Sequence, residues 1–343
     1  MDSRVKPGKV TSMDVARLAG VSQSAVSRVF TPGASVSSKM SDRVRKAAVE
    51  LGYRPNVLAR SLITGKSRII GVVVAYLENQ FYPEVLEKLS HALQARGYHV
   101  LMFMASNTTR DIDKVMEEIL DYQVDGIVLA SVGMTSDLAL RCRQANIPVV
   151  LFNRNQDDES LPCVTSDNYA GGRKVAELFV SAGHRKIGYI AGWEDASTQR
   201  DRERGFVDSL RASGIELHAR EVGGFVQSQA EEATRNMFAT DDPPQAVFVA
   251  NDHMAFGVLD TLRYELGLSV PGDVSVVGYD DVPLAAWKAY NLTSVRQPAQ
   301  QMVDRTVDIL FDSQRDDSAP ERIIIDGPLV IRTSATIPED WKP

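Results

Sequence analysis

Residues 10–30 read VTSMDVARLAGVSQSAVSRVF, an order that predicts two short helices joined by a tight turn. Thr11 and Asp14 have the T-x-x-D spacing of a capping box, with a side-chain acceptor at each end of the first helical turn. Val15, Leu18 and Ala19 recur at helical spacing and predict one apolar stripe. Gly20 supplies the permissive backbone that a sharp turn requires. Ser22 can cap a second helix whose inner face is Val26 and Val29, leaving Gln23, Ser24, Ser27 and Arg28 on its outer face. That face suits the major groove of DNA. Gln can bond an adenine edge in bidentate fashion, Arg a guanine edge, and Ser a base or a phosphate. The first residues of a recognition helix are the ones that reach base edges. An ordinary helical hairpin would share the A-G-V-S turn, so the flanking sequence has to separate the two readings.

The flanks favour nucleic acid. Residues 1–66 hold 12 Lys and Arg against 4 Asp and Glu, a charge of +8, whereas the rest of the 343-residue chain carries −15. A basic head on an acidic body fits a nucleic-acid module joined to something else. A third helix is predicted with Val44, Ala47, Ala48 and Leu51 inward and Gly52 at its end. Residues 56–62 then form a potential helix of about two turns, shorter than the roughly 12–15 residues at which an isolated helix becomes marginal in water. A plain linker has the same composition.

From Ile69 onward, short apolar runs alternate with amphipathic segments. The runs IIGVVVA, HVLMFMA, DGIVLAS, IPVVLFN, KIGYIAG, AVFVAND and VSVVGYDD are nearly continuous, as expected of strands buried on both faces. Segments such as FYPEVLEKLSHALQARGY and NYAGGRKVAELFVSAGH have helical period, and Gly97, Gly183 and Gly214 stand where helices would end. Repeated strand–helix–strand order predicts parallel doubly wound sheets, and the length of this region favours two similar halves.

Several function classes find no support. Cys142 and Cys163 are too few for a disulfide framework, and neither they nor the 5 histidines have metal-ligand spacing, so no metal or cofactor is expected. There is no G-x-G-x-x-G after a strand, no G-x-x-x-x-G-K-S/T and no nucleophile–base motif, which argues against an enzyme. No apolar run approaches the roughly 20 residues needed to span a bilayer. The first residues, MDSRVKPGKV, lack the apolar core of a signal peptide, so a soluble cytoplasmic protein without membrane contact is expected.

Four blocks occur in order: V-T-x-x-D-V-A-x-x-A-G-V-S-x-x-A-V-S-R-V, L-G-Y-R-P-N-x-x-A-R-S-L, N-D-x-M-A-x-G and V-x-V-V-G-Y-D-D. With them the chain resembles, essentially end to end, the lactose-repressor (LacI/GalR) family of bacterial transcription regulators. The resemblance implies an N-terminal all-α helix-turn-helix headpiece with a hinge helix, joined to an α/β periplasmic-binding-protein-like body of two doubly wound parallel-sheet subdomains. By that reading residues 1–65 bind DNA, with the hinge helix at about 56–62, and 66–343 bind effector and dimerise. Subdomain 1 would hold about 68–165 plus 296–326, and subdomain 2 about 166–295 plus 327–343.

The resemblance further implies a homodimer on a palindromic operator. Gln23, Ser24 and Arg28 would read sequence, while Ser22, Ser27, Ser37 and Asn56 would contact phosphates and fix register. Thr11, Ser12 and Ala59 fall among the DNA-contact positions as well. Leu62 would be an apolar wedge between base steps in the minor groove; without the resemblance it would be read as a core residue.

In the body the resemblance puts an effector between the subdomains, beyond the carboxyl ends of the strands. Phe81, Tyr82, Asn153, Arg200, Asn251 and Asp280 fall there by motif, aromatic faces for a ring and Asn, Asp and Arg for directed hydrogen bonds. Asp280, Asp281 and Asn251 could instead simply cap loops or a helix. Trp193 and Trp287 could line the cleft or merely pack, and Arg202 and Arg204 are read as surface or interface charges. A sugar or sugar acid is the expected effector, with a purine or a protein coregulator as alternatives and a sugar receptor without a DNA role further behind. Ala75 stands where some sugar-responsive members carry a hydroxyl. The chain ends in PEDWKP without the apolar heptads of tetrameric members, so a dimer is expected. Whether effector releases DNA or promotes binding is left open by the residues.

Overall fold

The alternation of caps and apolar positions in the head becomes three helices in the computed structural model, which describes residues 10–31, 34–54, 66–105, 109–133, 135–156, 160–312, 320–339 and 341. Helix α1 (Ser12–Ala19) begins at Thr11, whose hydroxyl accepts from the Asp14 N–H while the Asp14 carboxylate takes the Thr11 N–H at 3.0 Å. It ends at Gly20 with φ 64°, a left-handed conformation that glycine adopts without a Cβ clash. Helix α2 (Gln23–Val29) is capped by the Ser22 hydroxyl, which accepts from Ala25 N–H at 3.2 Å. Helix α3 (Ser38–Leu51) ends at Gly52.

Eight buried residues form the head's core among the described residues, four of them alanines: Val15, Ala16, Ala19, Val26, Val29, Val44, Ala47 and Ala48. Only Val15, Ala16 and Ala19 of α1 are buried, so the core covers a narrow stripe of that helix. Leu18, expected in that stripe, is therefore 47% exposed, and Ala16 takes its place. A core with so little apolar volume leans on its caps, each of which stabilises by about 1 kcal/mol. The expected hinge helix at 56–62, with Asn56, Ala59 and Leu62, lies outside the described residues.

The chain divides by its contacts into residues 1–68 and 69–343. In the second unit, β1 (Ile69–Val74), α4 (Phe81–Ala95), β2 (His99–Met104), α5 (Thr109–Asp121), β3 (Gly126–Ala130), α6 (Ser136–Gln144), β4 (Val149–Phe152) and β5 (Cys163–Ser166) wind a first sheet. A second winds through α7 (Asn168–Ser181), β6 (Ile187–Ala191), α8 (Ser197–Ala212), β7 (Ala219–Val222), α9 (Gln227–Phe238), β8 (Ala246–Val249), α10 (Asp252–Asp260), β9 (Ser275–Asp280) and β10 (Thr293–Arg296). The chain then returns through α11 (Ala299–Phe311) and β11 (Arg322–Ile325) to the first sheet, and closes on the second with β12 (Leu329–Val330).

The sheet orders are β11-β5-β4-β3-β1-β2 and β12-β10-β9-β8-β6-β7, the same winding twice. All pairings in the first sheet are parallel; in the second, β12 runs antiparallel to β10. Strands in the middle, β1, β3, β4, β6, β8 and β9, are buried along almost their whole length, whereas the edge strands β2 and β7 are exposed or half-exposed throughout. In each sheet the order reverses beside the first-wound strand, between β1 and β3 and again between β6 and β8. Loops leaving those strands at their carboxyl ends diverge and open a crevice. Where the chain crosses between the sheets its segments bond side by side, Asp167 N–H to Ile325 O and Arg296 N–H to Pro328 O, both at 2.9 Å.

Candidate effector cleft and nucleic-acid interface

On the head, the first turn of α2 turns short polar side chains outward. Gln23, Ser24, Ser27 and Arg28 are all exposed. Gln23 donates through Nε2 to the Ser12 hydroxyl at 2.9 Å, which ties the start of α2 to the start of α1, and the Ser22 and Ser24 hydroxyls lie 2.9 Å apart. Thr11 is occupied by its capping box. Ser37 stands at the N-cap of α3 without a side-chain cap bond, so its exposed hydroxyl is not consumed there.

In the body, the carboxyl ends of strands from both sheets meet around a small cleft lined by Tyr76, Asn79, Tyr82, Asn153 and Arg154 from one side and Thr198, Arg202, Phe225, Asn251 and Asp280 from the other. Asp280, the last residue of β9, is the junction. One carboxylate oxygen accepts from Asn79 Nδ2 at 3.0 Å, the other from Gln297 Nε2 at 2.7 Å, and Arg202 Nη2 lies 3.6 Å away. Asn79 follows β1, Gln297 lies on a crossing segment and Arg202 is on α8, so one carboxylate touches both subdomains and the segment joining them. Burial raises the Asp280 pKa from its ordinary value, against the pull of Arg202, Asn79 and Gln297. Behind it Asp252 is also buried, accepting from Ser294 Oγ at 2.6 Å and Val282 N–H at 3.0 Å; burial and then the Asp280 charge raise its pKa well above the usual carboxylate value.

Arg202 is held from several directions. Its Nε donates to Asn168 Oδ1 at 2.8 Å, its Nη1 to Ala250 O at 2.6 Å, and its guanidinium lies 3.6 Å from the Tyr279 ring centre. Gly172 and Gly205 let α7 and α8 touch backbone to backbone beneath it: a Cβ at Gly172 would meet Arg202 O at 2.1 Å, and one at Gly205 would meet Tyr169 O at 2.0 Å. Asn251 caps α10 by accepting from Met254 N–H at 3.0 Å, which turns its Nδ2 away from the helix. On the other side Asn153 donates to Tyr82 Oη at 3.0 Å and Ser131 Oγ at 3.3 Å, and Tyr82 bonds Ser131 directly.

Two further observations mark the cleft. Asn153, Phe225 and Asp280 of the lining, and the adjoining Ser131 and Asp281, have positive φ, a conformation costing roughly 1–3 kcal/mol at a non-glycine residue and concentrated at functional sites. Asn153 Oδ1, Arg154 Nε and Asn251 Nδ2 are buried without a hydrogen-bond partner. The enclosed space is about 10 Å³, room for about one water. The Asn79–Asp280 hydrogen bond bridges the subdomains across this space.

Of the residues expected here, Tyr82, Asn153, Asn251 and Asp280 line the cleft. Phe81 does not. It is buried in the core behind it, stacked on Phe152 with centroids 6.4 Å apart. Arg200 also lies elsewhere, on the exposed side of α8 with Nη1 3.4 Å from Asp195 O. Arg202, read as a surface charge, is instead 2% exposed. Two residues turn a helix by about 200°, so the two guanidiniums point to opposite faces. The spacing Thr198–Arg202–Phe206–Leu210 is one i, i+4 row and would have revealed the inward face. Arg154 and Asn79 lie directly after or near strand ends, and Phe225 sits in a loop with no periodic signal. Trp193 lies 5.2 Å from the Arg154 guanidinium, whereas Trp287 is 59% exposed.

Among the described residues no helix is long and apolar enough to cross a membrane, and no cluster of His, Cys, Asp and Glu could hold a metal ion.

Comparison with known proteins agrees with both halves of this picture. Residues 11–56 match the model of bacterial regulatory proteins of the lacI family, and residues 176–335 match that of the periplasmic binding protein-like domain. The HTH-type transcriptional repressor PurR of Pasteurella multocida (strain Pm70) is 30% identical over 94% of this chain and 98% of its own length. The ribose operon repressor of Escherichia coli (strain K12) is 31% identical over 88% and 92%. Among solved structures, the lac repressor dimer bound to operator and the anti-inducer ONPF superposes with a TM-score of 0.85 at 27% identity, covering 96% of this chain and 99% of that one. These relatives are repressors rather than enzymes. The chain belongs to the lacI family of bacterial regulatory proteins, as a DNA-binding transcriptional repressor with a periplasmic-binding-protein-like body.

Proposed function

We propose that this repressor binds a two-fold operator as a homodimer and that a small polar effector, a sugar or sugar acid, controls it from the cleft. The observation that carries the reading is the junction at Asp280, where one buried carboxylate is shared between Asn79, Gln297 and Arg202. A polyhydroxylated guest that takes over the Asn79 bond changes how the two subdomains are joined. Such a ligand switches the protein only through a difference in affinity for the two states. The lac repressor dimer, similar over most of this chain and solved with the anti-inducer ONPF, supports control by a small molecule without saying which one acts here. The choice of a sugar or sugar acid rests on the hydrogen-bonding groups of the lining.

On the DNA side, Gln23, Ser24 and Arg28 would read base edges, and Ser22, Ser27, Ser37 and Asn56 would hold phosphates, with Thr11, Ser12 and Ala59 nearby. Leu62 would act as the minor-groove wedge. The effector test is thermal unfolding of the full-length protein with sugars, sugar acids and nucleobases, in wild type and Asp280→Ala. A ligand at 100 times its Kd adds about 2.7 kcal/mol to the stability of the body. A hit that persists undiminished in Asp280→Ala would remove the cleft from the account.

A further inference from the structure

Arg154 is the cleft group that the arrangement above leaves unexplained. It is 7% exposed and follows Asn153 at the end of β4. Its Nη1 donates to Ser131 O at 2.9 Å, and the guanidinium lies near two rings, 5.2 Å from the Trp193 centroid and 5.8 Å from that of Phe225. Arg202 has Asp280 beside it, and Arg332 and Arg296 both pair with Asp281. Arg154 has no carboxylate partner among the described residues, and its Nε has no hydrogen-bond partner at all. Two guanidiniums and one carboxylate line the cleft, and that carboxylate already serves Arg202, Asn79 and Gln297. A buried cation without an anion is costly. The rings satisfy the face of the guanidinium through its charge, but they leave the in-plane Nε–H unanswered. Nearby, Asn251 Nδ2 is a second buried donor without a partner.

We propose that the effector is acidic, a small polyhydroxylated molecule whose carboxylate or phosphate oxygens are received by Arg154 beside Trp193 and Phe225. Its hydroxyls then fall to Asp280, Asn251 and Arg202. This rests on the cleft being the effector site and adds the charge class of the ligand. The planar fork of Arg matches either oxyanion in bidentate fashion.

The test titrates the full-length protein at fixed ionic strength, reading intrinsic tryptophan fluorescence, to which Trp193 contributes, together with thermal unfolding. Probes are matched sets: glucose, gluconate, glucuronate and glucose 6-phosphate; ribose, ribonate and ribose 5-phosphate; and acetate and inorganic phosphate as bare oxyanions. At least one acid is expected to bind about 30-fold or more tighter than its neutral parent, the least expected from a buried charge-assisted pair. In Arg154→Gln that preference should fall to within about threefold, while Arg154→Lys should keep part of it. Ligand-free unfolding of each variant verifies that it is folded. Preference for gluconate or ribonate over the esters would identify a carboxylate, and the reverse a phosphate. A neutral sugar that binds as well as its acids, with binding lost in Asp280→Ala, would overturn the acid assignment and leave the cleft reading standing. An acid preference that survives Arg154→Gln would also overturn it. No response to any probe, bare oxyanions included, would overturn the acid assignment and the cleft reading together.

Discussion

Replacing Arg202 by Met keeps an unbranched side chain of similar reach and removes only the guanidinium. In the native protein that group donates to Ala250 O at 2.6 Å and Asn168 Oδ1 at 2.8 Å, faces Tyr279 and lies 3.6 Å from Asp280. All of it is buried, so water does not replace what is lost. Removing one partner of a buried pair costs about 3–5 kcal/mol, mostly because the other charge is stranded. For a unit of this size about 1 kcal/mol moves Tm by roughly 2–4 °C, so calorimetry of full-length Arg202→Met should show the body melting about 6–20 °C lower at neutral pH. The pH dependence gives the mechanism its signature. Asp280 already has a raised pKa, with Arg202 foremost among the groups that oppose the rise. Without Arg202 it rises further, so the native state binds a proton that the unfolded state does not. Stability then falls as pH rises through the window between the ordinary and the raised value. The deficit of Arg202→Met should therefore be largest near neutrality and shrink as the pH is lowered toward about 5. Adding Asp280→Asn should recover part of it. A cost below about 1 kcal/mol, or a deficit that does not change with pH, would refute the stranded-charge argument.

Gly172→Ala should loosen the α7–α8 contact, because its Cβ would fall 2.1 Å from Arg202 O. A cost of about 1–3 kcal/mol in thermal unfolding is expected, with weaker binding of any cleft ligand, and an unchanged Tm would show that the helices have slack. Arg28→Ala should weaken binding to a cognate duplex selected from a random pool by about 1–3 kcal/mol and relax preference at one base pair. An equal loss on every sequence would make Arg28 a phosphate contact instead. Leu62→Ala should weaken operator binding while effector affinity is unchanged, measured by fluorescence anisotropy and ligand titration. Equal operator affinity would end the wedge assignment.

The parts of the fold that were legible in the sequence are those with long or capped signals. The capping box at Thr11 and Asp14 and the turn at Gly20 have the expected geometry, and seven apolar runs correspond to β1, β2, β3, β4, β6, β8 and β9. Strands β4 and β8 are only 4 residues long but wholly apolar, whereas the equally short β5, β7, β10 and β11 each include polar residues and β12 has only 2 residues, so no continuous apolar run marks them. They exist because a neighbouring strand already offers its backbone groups. In the cleft, Asp280 and Asn251 could be found because they end conspicuous apolar runs. Arg202 could not be told from Arg200 by motif, since that choice depends on the helix face and so on Phe206 and Leu210. Arg154 and Phe225 are brought together only by the meeting of the two sheets, and no local pattern carries that information.

The most direct test of the two-site account is thermodynamic linkage measured in both directions. Operator affinity of the full-length protein would be determined with and without a ligand that stabilises the body, and affinity for that ligand with and without operator. The account predicts a change of about 5-fold or more, equal in size in both directions as linkage requires. Identical operator affinity with the cleft saturated would contradict it.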